Sequence, residues 1–356
     1  MNKHQLRELL DRFYVKILLY SFVVQTRKRA KMRLKRIGGG YILSREEKEK
    51  IKRFWAPYGI KPKMYWYKLF AHKSGVADPR YIPDDLFYSR IIHKLNNFFF
   101  TTACADKGIY DWLFHDIRRP DQVLKCMNGV FYDEGGNVIL KEEALNIVQK
   151  HESVIIKPSL RSGGGQKICF YDREKQTRGE LTRIFDTLYP DFVVQLLLGQ
   201  HPDLARIHPQ SLNTIRTISL MLEGEVFILS SIFRMGSGNA RVDNTSSGGF
   251  ACPVHTDGRL NQWAVNRKSE WVERHPGGVV FAEVVIPSYE RMISMVKQCH
   301  TRLPHICFIG WDFAISATGE PVLIEYNCTI GSNQISCGPT FGEHTERVLE
   351  LVLGKK

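Results

Sequence analysis

Residues 310–332, GWDFAISATGEPVLIEYNCTIGS, leave this chain few ways to fold. Residues 308–315 and 321–326 are apolar and β-rich, and Thr318-Gly319 between them is a turn signal. With that pair as a two-residue loop, Asp312 falls directly opposite Glu325. Strand alternation then puts Asn327 on the same face as Glu325. Two facing carboxylates in apolar surroundings repel each other and raise a pKa. A divalent cation removes the repulsion, and Mg²⁺ is held by one or two carboxylates together with substrate phosphates. Asp312, Glu325 and Asn327 are therefore the expected Mg²⁺ ligands. The competing reading, a polar pair on a solvated face, sits poorly with such apolar flanks.

Upstream, residues 153–171 read SVIIKPSLRSGGGQKICFY. Val154, Ile155 and Ile156 form a buried strand that ends in Lys157. Gly163, Gly164 and Gly165 make a turn, and residues 167–171 return as a second strand. A glycine-rich hairpin lets backbone N–H groups approach an anion without Cβ obstruction, and Lys157 adds a point charge for phosphate. The spacing is not that of a Walker A loop, and a strand follows rather than a helix.

Arg216 lies inside the apolar run SLNTIRTISL, and Arg234 follows Ile232-Phe233. Burying a guanidinium without an anion is costly, so both are expected to meet one. Asp243-Asn244 reads either as a substrate loop or as a plain turn.

These pieces, in this order, resemble the ATP-grasp superfamily, and most of all its sugar-transfer-associated branch, found with polysaccharide biosynthesis genes. The resemblance covers roughly residues 103–353. It implies an α+β fold in which two lobes grip ATP, here behind a mainly helical N-terminal extension. Within it, DQVLKCMNGVFYD places Lys125 on the first small-lobe strand, so that Lys125 and Lys157 would neutralise the α- and β-phosphates. In DFVVQLLLGQHPDL, Gln195 and Leu197 would border adenine. Asn213 and Arg216 resemble phosphate and substrate contacts, and Arg234, Asp243, Asn244, Gly248 and Gly249 resemble a substrate-binding stretch. Arg216 and Arg234 would act on the γ-phosphate and the acceptor carboxylate. Two departures stand out. Gln200, His201 and Asp203 compete for the ribose hydroxyls, and the N-terminal third shows no βαβ alternation.

The chain has 356 residues, enough for one multi-lobed catalytic unit plus an extension. Its eight cysteines form no C-x-x-C pair, and several lie in apolar strands, which reads as buried thiols in a reducing compartment. The net charge is +13. Residues 1–36 hold eleven Lys or Arg against two acids, so most of that charge is in one arm. The rest is nearly neutral, and a nucleic-acid-binding face is not indicated. The apolar run 13–24 contains Lys16, is too short to span a bilayer, and precedes the basic cluster RKRAKMRLKR. Two readings stay open for residues 13–36. One is peripheral contact with an anionic membrane. The other is a helix docked on the enzyme body.

The expected organisation is a basic amphipathic arm (1–36), a helical region (37–102), a small lobe (103–199) and a large lobe with the metal site (200–356). Ser44 followed by Arg45-Glu46-Glu47 marks a helix start. Further helices are expected near residues 65–74, 83–96, 141–150, 178–189, 288–302 and 342–353. The functional expectation is an ATP- and Mg²⁺-dependent carboxylate–amine ligase working through an acyl-phosphate. Its substrates would be a carboxylated sugar or glycan and an amine, in surface polysaccharide or capsule biosynthesis. It would be cytoplasmic, with peripheral contact at the inner face of the membrane. A phosphotransferase acting on a hydroxyl, and a non-catalytic nucleotide-binding scaffold, are the alternatives.

Overall fold

The computed structural model describes residues 3–160, 167–239, 243, 248–328 and 330–355. Two antiparallel sheets organise them. The smaller has six strands: β1 (Gln122–Met127), β2 (Val130–Asp133), β3 (Val138–Ile139), β4 (Ser153–Pro158), β5 (Cys169–Asp172) and β6 (Phe192–Leu196), ordered β3-β2-β1-β6-β4-β5. The larger has seven: β7 (Thr214–Leu222), β8 (Glu225–Met235), β9 (Phe250–Val254), β10 (Ala264–Asn266), β11 (Trp271–Val272), β12 (Phe308–Ile315) and β13 (Pro321–Asn327), ordered β11-β10-β9-β8-β7-β12-β13.

The small sheet buries one face under helices, and the large sheet meets helices on both. Helices Lys141–Gln149 and Arg178–Leu188 cover the small sheet, where Leu145, Val148, Leu181 and Phe185 pack on Val154, Ile156 and Phe192. The second of these starts in a capping box, Thr177 with Glu180. Helix Tyr289–His300 packs Met292, Val296 and Cys299 on the large sheet. β12 is buried along its whole length, which explains its near-continuous apolar sequence.

His300 closes that layer. Its Nε2 lies 2.8 Å from the Ile306 carbonyl and its Nδ1 lies 2.7 Å from Ser219 Oγ. A carbonyl only accepts, so Nε2 carries the proton and Nδ1 accepts from the Ser219 hydroxyl. Trp311 Nε1 in turn donates to Ser219 Oγ at 2.8 Å. The imidazole is fully buried and neutral, and burial lowers its pKa to about 4.

The N-terminal region is helical. Helix α1 spans Lys3–Arg36, α2 spans Arg45–Trp55 and α3 spans Tyr65–Ser74. Ser44 and Glu47 complete the capping box that opens α2. Asp84–Leu86, the π turn Phe87–Ile91 and Ile92–Leu95 run on as one segment. Together with the closing helix Thr345–Leu353, these elements share a core with Ile218, Leu220 and Phe308 of the large sheet.

Helix α1 is docked on this core. Val15, Leu19, Val23, Thr26, Ala30 and Leu34 are buried at spacings of three or four. A second face points away. Leu6, Leu9, Phe13, Ile17, Tyr20 and Val24 are exposed at the same spacing, and Lys28, Lys31 and Lys35 continue that line. Among the described residues no helix is long and apolar enough to cross a membrane.

Candidate active site

The hairpin β12–β13 brings Asp312 opposite Glu325, as the sequence predicts, though by a different route. The turn has three residues, not two: Ser316 N–H donates to Glu320 O at 2.8 Å, and Gly319 takes φ +85. That offset alone would misalign the pair. A bulge between Asp312 and Phe313 absorbs the extra residue and restores the register.

The site is built outward from that pair. Arg216 is the cross-strand neighbour of Asp312 on β7 and grips it with two prongs, Nε to Oδ1 and Nη2 to Oδ2, the latter at 2.6 Å. Arg234 on β8 reaches the same carboxylate at 3.3 Å and Asp243 at 3.4 Å. Its Nη2 also donates to Thr214 Oγ1 at 2.8 Å, and Thr214 donates onward to Asp243. Burial lowers the Arg234 pKa, but Asp243 and Asp312 together outweigh it and raise it. Burial raises that of Asp243, against the pull of Arg234 and Thr214.

Glu325 faces the small lobe. Lys107 Nζ lies 3.1 Å from its Oε2, and Asn327 Nδ2 donates to its Oε1 at 3.3 Å. Burial pushes the Glu325 carboxyl up, but Lys107, Arg216 and Lys157 outweigh it and hold it at about 2. Lys157 is buried at the end of β4. Its pKa falls to about 8 through burial and the nearby Lys107, with Glu325 pulling the other way.

Lys107, which the resemblance places only in the segment ADKGIYDWLF entering the ATP domain, is brought to the site by the fold. It sits on a short turn, Lys107–Ile109, capped by Asp106, which accepts from Gly108 N–H at 2.8 Å. Tyr110 follows, stacks on Tyr326 at 5.2 Å between ring centroids, and accepts from the Tyr326 N–H at 3.3 Å. The turn is thereby tied to β13 and aims Lys107 at Glu325. The pairing spans the chain from 107 to 325, so no local pattern announces it.

A cavity of about 400 Å³ lies between the two sheets. Lys107, Lys157, Arg234, Asp243, Asp312 and Glu325 line its polar end, and Gln195 and Leu197 line the other. The Gln195 Oε1 is buried without a hydrogen-bond partner among the described residues. An acceptor of that kind beside apolar side chains fits the amino edge of a purine. At the polar end, the Asp312 and Glu325 carboxylates are hard donors of the type Mg²⁺ takes, while Asn327 does not line the cavity and meets Glu325 through its Nδ2.

Some expected site residues stand elsewhere. Lys125 shares a face of the small sheet with Lys157, both being cross-strand partners of Val193. However, its ammonium donates to Asp111 at 2.6 Å and to Gly108 O at 2.8 Å, and it does not line the cavity. Asn213 is buried and turned inward, donating to Leu204 O at 3.0 Å and His208 O at 3.2 Å, so it braces a loop rather than meeting substrate. Gly248 lines a neighbouring cavity, and Gly249 is buried beside it in sequence. Gly163, Gly164, Gly165 and Asn244 lie outside the described residues. Of the three candidates for the ribose, only Gln200 lines the cavity.

Residues 87–348 match the family described as sugar-transfer associated ATP-grasp, and the chain belongs to that family. It has an α+β ATP-grasp fold with a helical N-terminal region. No curated protein matches it in sequence. Among solved structures it is similar to D-alanyl-alanine synthetase A from Vibrio cholerae O1 biovar eltor str. N16961, at 13% identity and a TM-score of 0.43, over 72% of this chain and 64% of that one. It is similar to an L-amino acid ligase from Bacillus licheniformis at 15% and 0.39, over 72% and 50%. It is also similar to D-alanine–D-alanine ligase from Bacillus anthracis complexed with ATP, at 15% and 0.41, over 73% and 68%. The chain thus spans less than two thirds of the length of the first two.

Proposed function

We propose that this chain is an ATP- and Mg²⁺-dependent carboxylate–amine ligase that amidates a carboxylated sugar such as a uronic acid, in surface polysaccharide or capsule biosynthesis. The observation that carries this reading is the charge constellation at the junction of the two sheets. Lys107, Lys157, Arg216 and Arg234 converge there on Asp312, Glu325 and Asp243.

In the proposed reaction a carboxylate oxygen attacks the γ-phosphorus of ATP and ADP departs. An amine then attacks the acyl carbon, phosphate leaves, and the amine gives up a proton. Mg²⁺, held by Asp312, Glu325 and Asn327, would supply charge neutralisation at the phosphate oxygens. Lys157 and Lys107 place two ammonium groups against the polyphosphate. Arg234, fixed by Thr214 and Asp243, presents its guanidinium to the acceptor carboxylate. Arg216 keeps Asp312 oriented. Gln195 and Leu197 seat the adenine. Such a site works by positioning and preset charge, with no covalent role for the protein.

The partners follow from the same reading: a small-molecule or glycan carboxylate and an amine, with no nucleic acid. The protein acts in the cytoplasm, and the outward line of α1 rests on the inner face of the membrane. Apolar residues followed by lysines on one helical face suit an anionic interface.

ADP and phosphate release with ATP and Mg²⁺, screened over uronic acids crossed with amino acid pools, tests the reaction. The expected result is release that needs both partners, with a product lighter by one water than their sum. Release that needs an acceptor but no amine would make it a phosphotransferase.

A further inference from the structure

Beside the ATP cavity lies a second and larger one, of about 710 Å³, that the reaction above does not use. Helix α1 forms one wall with Arg29, Arg33 and Arg36, spaced as i, i+4 and i+7 on one face. The segment after β10 forms the opposite wall with Arg267 and Lys268. We propose that this cavity binds a phosphate ester, most simply a diphosphate, carried by the acceptor next to its reacting carboxylate. This inference rests on the ligase reading.

Three observations carry it. First, the cations outnumber their partners. No carboxylate pairs with Arg29, Arg36, Arg267 or Lys268 among the described residues. Glu270 is held by Asn266 Nδ2 at 2.6 Å. Among the described residues Asp84 is the acid that acts on Arg33, and burial pushes its carboxyl up to about 7. Burial together with Arg36 and Arg267 lowers the Arg33 guanidinium, against Asp84.

Second, the walls are fixed in place. Arg33 Nε donates to Ser269 Oγ at 2.9 Å, joining α1 to the opposite side. Asn333 Nδ2 donates to Ser230 Oγ at 3.0 Å on the sheet below.

Third, the two cavities share a strand. Ile232 lines this one and Arg234, two residues on and on the same face of β8, lines the other. Two residues along a strand is about 7 Å, the scale of one sugar ring. Arg234 and the α1 arginines line different cavities, so with a carboxylate at Arg234 the arginines would take a second anionic group of the same molecule. Guanidinium forks pair bidentately with phosphate oxygens, and five cations suit a multiply charged diphosphate better than a single carboxylate.

The test is calorimetric binding of inorganic pyrophosphate to the full chain, with the nucleotide cavity held by saturating Mg-ADP. The expected result is binding that weakens at least about tenfold in Arg267→Ala/Lys268→Ala, with ATP affinity unchanged. Both positions are exposed, so the pair leaves the core intact. Pyrophosphate binding abolished by Mg-ADP, or unaltered in the double variant, overturns the inference while leaving the ligase reading in place. Absence of ATP binding overturns the ligase reading instead, whatever pyrophosphate does. Where pyrophosphate binds as expected, uridine diphosphate and phosphatidylcholine vesicles carrying a minor fraction of polyprenyl diphosphate separate the sources. Tighter binding of the first assigns a nucleotide-linked acceptor, and tighter binding of the second a lipid-linked one.

Discussion

Glu325 is held near the bottom of the carboxylate range by three cations and stands where it can face both a metal and a phosphate chain. Glu325→Gln keeps the shape and removes the charge. Turnover should fall at least about a hundredfold, because charge preset for a reaction is worth several kcal/mol. The melting temperature should move by only a few degrees, of order 1 kcal/mol, since the amide still meets Lys107 and Asn327. Steady-state ADP release and a thermal melt check both halves, and unchanged turnover would remove Glu325 from the metal site. Lys157 offers a subtler readout. With its pKa lowered to about 8, it is partly deprotonated at pH 8 in the empty site. A polyphosphate alongside favours the charged form, so ATP binding at pH 8 should take up about half a proton. Titration calorimetry in buffers of different ionisation enthalpy measures it, and Lys157→Met should abolish it. The residues legible in sequence were those that break a local pattern, such as Asp312, Glu325, Arg216 and Lys157 in apolar strands. Lys107 sits in an ordinary polar turn, and its partner lies on a distant strand. Asn213 was offered by the resemblance alone, and here its buried amide pins a loop.

Among the elements, the hairpin β12–β13 shows how a correct pairing can be read from an incorrect turn. Thr318-Gly319 suggested two loop residues, and the bulge beyond Asp312 cancelled the error. Helix starts were easier, because caps are local: Ser44 opens α2 as its side chain requires. The layer between helix Tyr289–His300 and the large sheet carries its own prediction. His300 is neutral, with a pKa lowered from 6.5 to about 4 by burial. A histidine depressed in the folded state contributes stability above its unfolded pKa. That contribution is lost as pH falls from about 6.5 towards about 4, at up to about 1.4 kcal/mol per pH unit. Urea midpoints measured across this window should fall with pH. His300→Gln should be less stable at neutral pH and should show a shallower slope. An equal slope would mean that other groups govern the acid limb.

At the scale of the whole molecule, the large sheet is the common support. Strands β7, β8, β12 and β13 line the cavity at the lobe junction, β8, β9 and β10 line the arginine-rich cavity, and the N-terminal helices share a core with β7 and β12. Sequence patterns announced the arm by its charge and apolar run. They could not decide between docking and membrane contact, because both use an amphipathic helix. The docked face is now visible, and the outward face still awaits a partner. Replacing Lys28, Lys31 and Lys35 with glutamine should release the protein from vesicles containing anionic lipid. Each lysine contributes on the order of 1 kcal/mol near such a surface. Co-sedimentation checks this, and equal retention with and without the lysines would end the membrane reading.

Helix α1 presents three surfaces at once: a buried apolar line, an outward line ending in lysines, and the arginine face. Their mutual orientation is set by counting alone. One residue inserted near Gln25 would turn everything after it by about 100°. With Val15, Leu19 and Val23 kept in the core, Ala30 and Leu34 would leave it and the arginines would leave their cavity together. The number of residues between Val15 and Arg36 should therefore stay constant, much as a key does not tolerate a shifted tooth.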